Sequence, residues 1–259
     1  MALRITIPSM AMICLYSSLT TAGESGIQSI SSSGLRPMAA ILGGYANINA
    51  GSSATYLGTD DDVFTYHNSG GKNSGFIGAF LGAEYQLPYS GFFLQGGLEY
   101  NYFWPIYVSG THTVGIEPDT STLYTYQYRF ETQQLLVSAR LLGTVYERFH
   151  PYLAAGIGAA FNNTSNYSTA TNETGSINLT PIFTDHSQTQ FGYNLGAGID
   201  TNINQHWRFG VGYRFSGFGN ASLGRGEVVF NDYHAPVPFK VGASSTYANQ
   251  FIAQLSYLA

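Results

Sequence analysis

The sequence predicts an all-β chain: a closed, antiparallel, eight-stranded, transmembrane up-and-down β-barrel, apolar outside and polar inside. Three observations lead there. The first is a period of two, clearest in QTQFGYNLGAGIDTNINQHWRFGVGYRFSGFG at 188–219. Phe191, Tyr193, Leu195, Ala197 and Ile199 fall on one face of a strand, and Trp207, Phe209, Val211, Tyr213 and Phe215 on one face of the next. The opposite faces carry Gly, Gln, Asn and charges. Such a glycine-rich polar face suits a confined interior better than open water, which is the inverted pattern of a membrane strand. The second is composition. The 259 residues are 15% aromatic and only 10% charged, against about 25% charged in a soluble protein. Beyond the N-terminus no apolar run reaches the roughly 18 residues of a membrane helix. A chain that crosses lipid without helices must close its sheet, because lipid cannot satisfy an open edge. The third is that the connections alternate between short and long.

In chain order, residues 1–22 read as a signal peptide. Arg4 gives the positive start, Met10 to Leu19 the apolar centre, and Thr20-Thr21-Ala22 the cleavage site. Ile13 before Cys14 argues against a lipoprotein, and Cys14 is the only cysteine, so there is no disulfide framework. Residues 23–35 form a Ser/Gly-rich flexible leader, and 36–259 the transmembrane barrel with four long extracellular loops. The first strand is placed at 37–49, with its facing open. The second, 75–87, turns Ile77, Ala79, Leu81, Ala83, Tyr85 and Leu87 outward. The third, 92–104, turns out Phe92, Leu94, Gly96, Leu98, Tyr100, Tyr102 and Trp104. The fourth, 123–142, turns out Leu135, Val137, Ala139 and Leu141. Its first half, with Tyr124, Tyr126, Tyr128 and Phe130 on the other parity, reads as a bulge or a part above the membrane. The fifth, 151–162, turns out Leu153, Ala155, Ile157, Ala159 and Phe161. After the sixth and seventh, the eighth, 247–259, turns out Phe251, Ala253, Leu255 and Tyr257.

Strands two to eight carry no charge on the proposed lipid face, where a mid-membrane Arg or Lys would cost roughly 2–4 kcal/mol. Glu84, Glu99, Arg140, Asp200, Arg208 and Arg214 all fall inside, three acids with three bases, as a lumen charge network. Tyr85, Phe92, Trp104, Phe161, Trp207, Phe215 and Tyr257 are expected as membrane-interface aromatics. The connections 88–91, 143–149 and 201–206 are short, and 50–73, 105–122, 163–188 and 218–246 long and rich in Ser, Thr, Asn and Gly. In bacterial outer-membrane barrels the short ones are periplasmic and the long ones extracellular. The long ones are acidic, and the net charge of −5 gives no reason to expect nucleic acid as a partner.

HPYLAAGIGAAFNN, QFGYNLGAGID and HWRFGVGYRFSGFG resemble the eight-stranded OmpA/opacity-type outer-membrane β-barrels of Gram-negative bacteria. Pro151-Tyr152, Gly196-Ala197-Gly198 and Gly212-Tyr213-Arg214 carry the likeness. It implies an integral outer-membrane protein of the cell envelope, surrounded by outer-membrane lipid and lipopolysaccharide. It implies no peptidoglycan anchoring here, since that role rests on a further domain. Family members usually finish on an aromatic residue read by the barrel-assembly machinery. The ending Tyr257-Leu258-Ala259 departs from that pattern, so either Tyr257 takes that part or assembly is less efficient.

Function is expected in the loops, as a structural or adhesin-like surface-interaction role toward a host or surface ligand. A narrow pore for small solutes is the alternative, weakened because eight strands leave a lumen that side chains fill. A lipid-modifying enzyme is the third reading. His67 with Ser69 or His186 with Ser187 could be imagined as its base and nucleophile, but no motif fixes a third group. No catalytic, cofactor or metal site is assigned and no cofactor is expected. His67, His112, His150, His186, His206 and His234 lack metal-ligand spacing and read as loop and turn residues. The architectural rival is a soluble periplasmic barrel.

Overall fold

The computed structural model describes residues 34–58, 63–88, 91–115, 122–146, 148–171, 180–230 and 233–259. The expected signal peptide and nearly all of the expected leader lie outside them. Thirteen strands follow: β1 (Leu35–Asn49), β2 (Ala54–Leu57), β3 (Val63–Asn68), β4 (Lys72–Gln86), β5 (Phe93–Val114), β6 (Thr122–Leu142), β7 (Phe149–Thr171), β8 (Ile182–Phe183), β9 (His186–Asn202), β10 (Trp207–Ser222), β11 (Gly226–Phe230), β12 (Tyr233–Val237) and β13 (Gly242–Leu258). Eight of them, β1, β4, β5, β6, β7, β9, β10 and β13, form an antiparallel ring in sequence order. The ring closes where β1 pairs β13 from Met38↔Leu258 to Asn49↔Tyr247. Closure removes the edge that lipid could not satisfy.

The facing of β1, open in the sequence, is settled by burial. Met38, Ala40, Leu42, Ala46 and Ile48 point inward, and Ile41 and Tyr45 outward. The outward sets of the other wall strands are the apolar ones: Ile77, Leu81, Leu98, Leu135, Val137, Leu153, Ile157, Leu195, Val211 and Phe251 are all exposed.

The wall is taller than the alternation predicts. Much of the expected long connections at 105–122 and 163–188 is strand, because β5 and β7 run on to Val114 and Thr171. Bulges shape this upper wall. Between Phe103↔Thr132 and Ile106↔Phe130, β5 carries one extra residue, at Trp104-Pro105, where proline's missing N–H is tolerated. Between Gln127↔Ser168 and Arg129↔Ser165 the extra residue is on β7, where Asn166 takes φ 56° and its N–H donates to Asp185 Oδ1 at 3.0 Å. In β10 the extra residue beside Gly217 and Gly219 is Phe218, with Gly219 at φ 74°. Above Phe76↔Phe103, the neighbour of β5 changes from β4 to β3. A second sheet, β12-β11-β8, is built from the two connections after β7 and β10.

On β6 the bulge alternative does not hold. Tyr124, Tyr126, Tyr128 and Phe130 are buried, as are Thr132, Gln134, Leu136, Ser138, Arg140 and Leu142. One parity faces inward for the whole strand, and what changes is the character of the interior.

Candidate functional site

The lumen is the first candidate. At its lower end, toward the short turns, β4, β5, β6, β9 and β10 each send one charged residue inward, and β10 sends a second. The six pair as Arg208–Glu84, Arg214–Glu99 and Arg140–Asp200, the last at 3.5 Å. Amides fill the remaining valences. Gln95 Nε2 donates to Glu84 Oε2 at 2.7 Å, and Arg140 Nη1 donates to Gln95 Oε1 at 3.4 Å. Arg208 Nε donates to Asn202 Oδ1 at 2.9 Å, and the Asn202 amide meets His150 Nε2 at 2.9 Å. One layer up, Arg214 donates to Glu99, to Asn101 Oδ1 at 3.2 Å and to Gln250 Oε1 at 2.8 Å. A buried charge is tolerated only when paired and hydrogen-bonded in this way.

Inward glycines are the residues that could have left a channel. Their space is taken by large side chains. A Cβ at Gly198 or Gly212 would lie 2.6 or 2.4 Å from the Tyr152 hydroxyl oxygen, so both glycines seat that ring. The Arg140 guanidinium in turn lies over the Tyr152 ring, 3.7 Å from its centroid. Between the two charged layers lies a cavity of about 20 Å³, bordered by Ser138, Arg140, Tyr152, Asn194 and Arg214. That is room for about one water.

Above the charges lies an apolar layer. Phe103 packs on Phe76 at 5.3 Å and edge-on to Phe218 at 5.1 Å. Phe218 keeps the inward parity of Arg214 and Ser216, and the β10 bulge changes that parity only beyond it, where Ala221 is buried. The backbone carbonyls around that bulge are satisfied from inside: Gln134 donates to Gly217 O at 3.0 Å, Asn162 to Phe218 O at 2.8 Å, and Thr246 to Gly219 O at 2.7 Å. Higher still is an aromatic box. His112 stacks on Tyr66 at 4.7 Å and on Tyr124 at 5.2 Å, while Tyr56 stacks on Phe239 at 4.5 Å. Phe183 of β8 packs edge-on to Tyr167 at 5.0 Å, so the second sheet contributes to the box. Tyr128 donates to Ala50 O at 3.0 Å. Both ring nitrogens of His112 lack a hydrogen-bond partner among the described residues, and burial pushes its pKa down to about 4.

The histidines correct one expectation. His112 and His150 are buried within β5 and β7, His186 opens β9, and His67 and His234 lie in β3 and β12; aromatic rings pack against His112 and His150. Neither imagined His–Ser pair is in contact. Ser69 Oγ donates to Ser109 O and Ser187 Oγ to Asn163 Oδ1, while His186 Nδ1 meets Ser222 O. His186 and Ser187 are adjacent on β9 and point to opposite faces. Among the described residues no cluster of His, Cys, Asp and Glu could hold a metal.

Tyr85, Phe92, Trp104, Phe161, Trp207 and Tyr257 lie exposed on the outer wall, and Phe215 is half-buried beside Tyr193 and Tyr247. Tyr85, Phe92, Trp207 and Tyr257 sit near the short turns, and Trp104, Phe161 and Phe215 lie higher. Sequence reasoning did not single out Phe218, nor the amide partners Gln95, Asn101, Asn194, Asn202 and Gln250. Gln95, Asn101 and Asn194 share the inward parity of the charges and so carried a signal. Phe218 carried the same signal, two residues beyond Ser216 on the inward parity of Arg208 and Arg214.

A family model described as outer membrane protein beta-barrel domain matches residues 28–257. Among solved structures, the chain is similar to Neisserial surface protein A, with 14% identity, a TM-score of 0.40, and coverage of 85% of this chain and 96% of that one. The outer membrane protein OprG from Pseudomonas aeruginosa is 13% identical, with a TM-score of 0.41 and coverage of 86% and 96%. The outer membrane protease OmpT from Escherichia coli is 9% identical, with a TM-score of 0.44 and coverage of 90% and 99%. No curated protein matches the chain by sequence.

Proposed function

The chain belongs to the outer membrane protein beta-barrel domain family and is an integral outer-membrane protein, and on that premise we propose that it acts as a structural or adhesin-like barrel through its long extracellular connections. One observation carries this reading. The lumen holds three buried ion pairs, an apolar layer and an aromatic box in succession, which supports a filled interior over a conduit. The surface left for recognition is then the outer one, and loops on a rigid scaffold are where binding concentrates. Lipopolysaccharide beside the wall, the assembly machinery at Tyr257 and a surface ligand at the loops are the partners this reading names. The reading itself includes no enzymatic step.

The test combines two measurements on refolded protein. Planar bilayers should stay electrically silent. Discrete conductance steps altered by Arg214→Ala would make the lumen the functional element instead. Shortening the connection at 223–241 should abolish adhesion to a target surface while unboiled protein still migrates differently from boiled protein. Adhesion that survives shortening of every long connection would remove the loop reading.

A further inference from the structure

Above Trp104 the outer wall of β5, β6 and β7 becomes mostly polar, with Tyr107 and Leu123 as exposed apolar exceptions. Its outward residues form two rows in register across the strands, Ser109–Gln127–Ser168 and Thr111–Thr125–Ala170. They border an open cleft of about 520 Å³ in which no lining residue is charged. Below the rows, on the same face and two residues before Ser109, Tyr107 is 57% exposed at the lower margin outside the lining. Its cross-strand neighbour is Arg129, whose guanidinium is already paired with Glu131 at 3.2 Å. Among the described residues, the side chains of Thr111, Gln127 and Ser168 make no hydrogen bond. Ser109 is five residues beyond Trp104. At about 3.3 Å per residue on a tilted strand, and with the bulge, that is roughly 10 Å above it.

We propose that this wall cleft binds an uncharged saccharide. Its hydroxyls would exchange hydrogen bonds with Thr111, Gln127 and Ser168, and the apolar face of a sugar ring would lie on Tyr107. Hydroxyl and amide groups both donate and accept, as sugar hydroxyls do, and neighbouring strands offer them at a repeat of about 4.8 Å, close to the width of a pyranose ring. A sulfated or phosphorylated ligand is disfavoured because, among the described residues, the cation in register with Tyr107 is Arg129, which pairs with Glu131. The sugar could come from the core of lipopolysaccharide in the same leaflet or from a glycan of another cell. The proposal goes beyond the loop reading, since it concerns the wall and not the connections.

The test uses the full chain refolded in detergent and checked by its migration on a gel. The probes are soluble neutral oligosaccharides, sulfated oligosaccharides, lipopolysaccharide with its core sugars, and lipid A without them. Binding of the neutral oligosaccharides would identify an external glycan as the source. Binding of core-bearing lipopolysaccharide alone, and not of lipid A, would identify the cell's own leaflet. In either case Gln127→Ala and Tyr107→Ala should each weaken binding about tenfold. Both positions are on the outer face, so folding should survive. A preference for sulfated probes, no binding of any sugar-bearing probe, or binding that both variants leave unchanged would overturn the proposal. Shortening the connection at 223–241 should spare this binding, which separates its failure from that of the loop reading.

Discussion

The two halves of β6 face the same way and are built in opposite senses. In the lower half Leu135, Val137 and Leu141 point outward, and Ser138 and Arg140 are buried. In the upper half Thr125 and Gln127 point outward, and Tyr124, Tyr126, Tyr128 and Phe130 are buried. The strand does not turn over, because it stays in register with β5 and β7 apart from one extra residue on each of them. What changes is the solvent outside. Lipid demands an apolar exterior and leaves the polar groups to the lumen. Water above the membrane demands a polar exterior, and the interior becomes an ordinary dry core. The change falls near Glu131 and Gln133, which accept hydrogen bonds from Tyr102 at 3.3 Å and Tyr100 at 2.8 Å.

This contrast can be broken from either side. The largest effect is expected in the lower lumen. Arg140→Ala with Arg214→Ala leaves Asp200 and Glu99 without their cations, at about 3–5 kcal/mol for each pair broken. The temperature at which the folded band disappears on a gel should fall sharply. Replacing both partners, as in Arg214→Met with Glu99→Leu, should cost far less, because no charge is left alone. In the upper half a single Phe130→Ala should cost about 3–5 kcal/mol, since Phe130 is 1% exposed. A loss under about 1 kcal/mol, by the same core-truncation scale, would mean that the aromatic box is not a packed core.

The exterior gives the sharpest comparison. Val137→Arg should cost roughly 2–4 kcal/mol, because the wall faces hydrocarbon there, and Thr125→Arg should stay within about 0.5 kcal/mol. Equal costs in reconstituted bilayers would place both sites in the same solvent and remove the inversion. The smallest effect is a pH dependence. His112 is held neutral, with its folded pKa near 4 against 6.5 as the ordinary value. Between those values the unfolded chain binds a proton that the folded one does not, so stability falls as pH drops from about 6.5 to about 4 and is flat above. At about pH 5.5 the loss should be roughly 1 kcal/mol, and His112→Phe should abolish it. An unchanged pH profile in that variant would show that the His112 imidazole is free to charge in place.

The alternation alone gave the outward faces of seven strands, because period two is a local property and lipid tolerates few exceptions. It also put Glu84, Glu99, Arg140, Asp200, Arg208 and Arg214 on one side of the wall. Which acid meets which base was not legible. Glu84 and Arg208 are separated by 124 positions and Glu99 and Arg214 by 115, and only ring closure brings β4 and β5 across from β10. The aromatics of upper β6 left two readings open for a related reason, since parity reports the facing of a strand only if the surrounding solvent is known.

Composition and periodicity therefore determined an all-β membrane wall, its lipid face and the inward side of its charges, since each follows from neighbours two residues apart. The tertiary structure decided the rest: the height of the wall, the filling of the space above Gly198 and Gly212 by Tyr152, the bulges, and the pairing of the charges. Those depend on contacts across a closed ring, where residues far apart in sequence compete for one narrow volume.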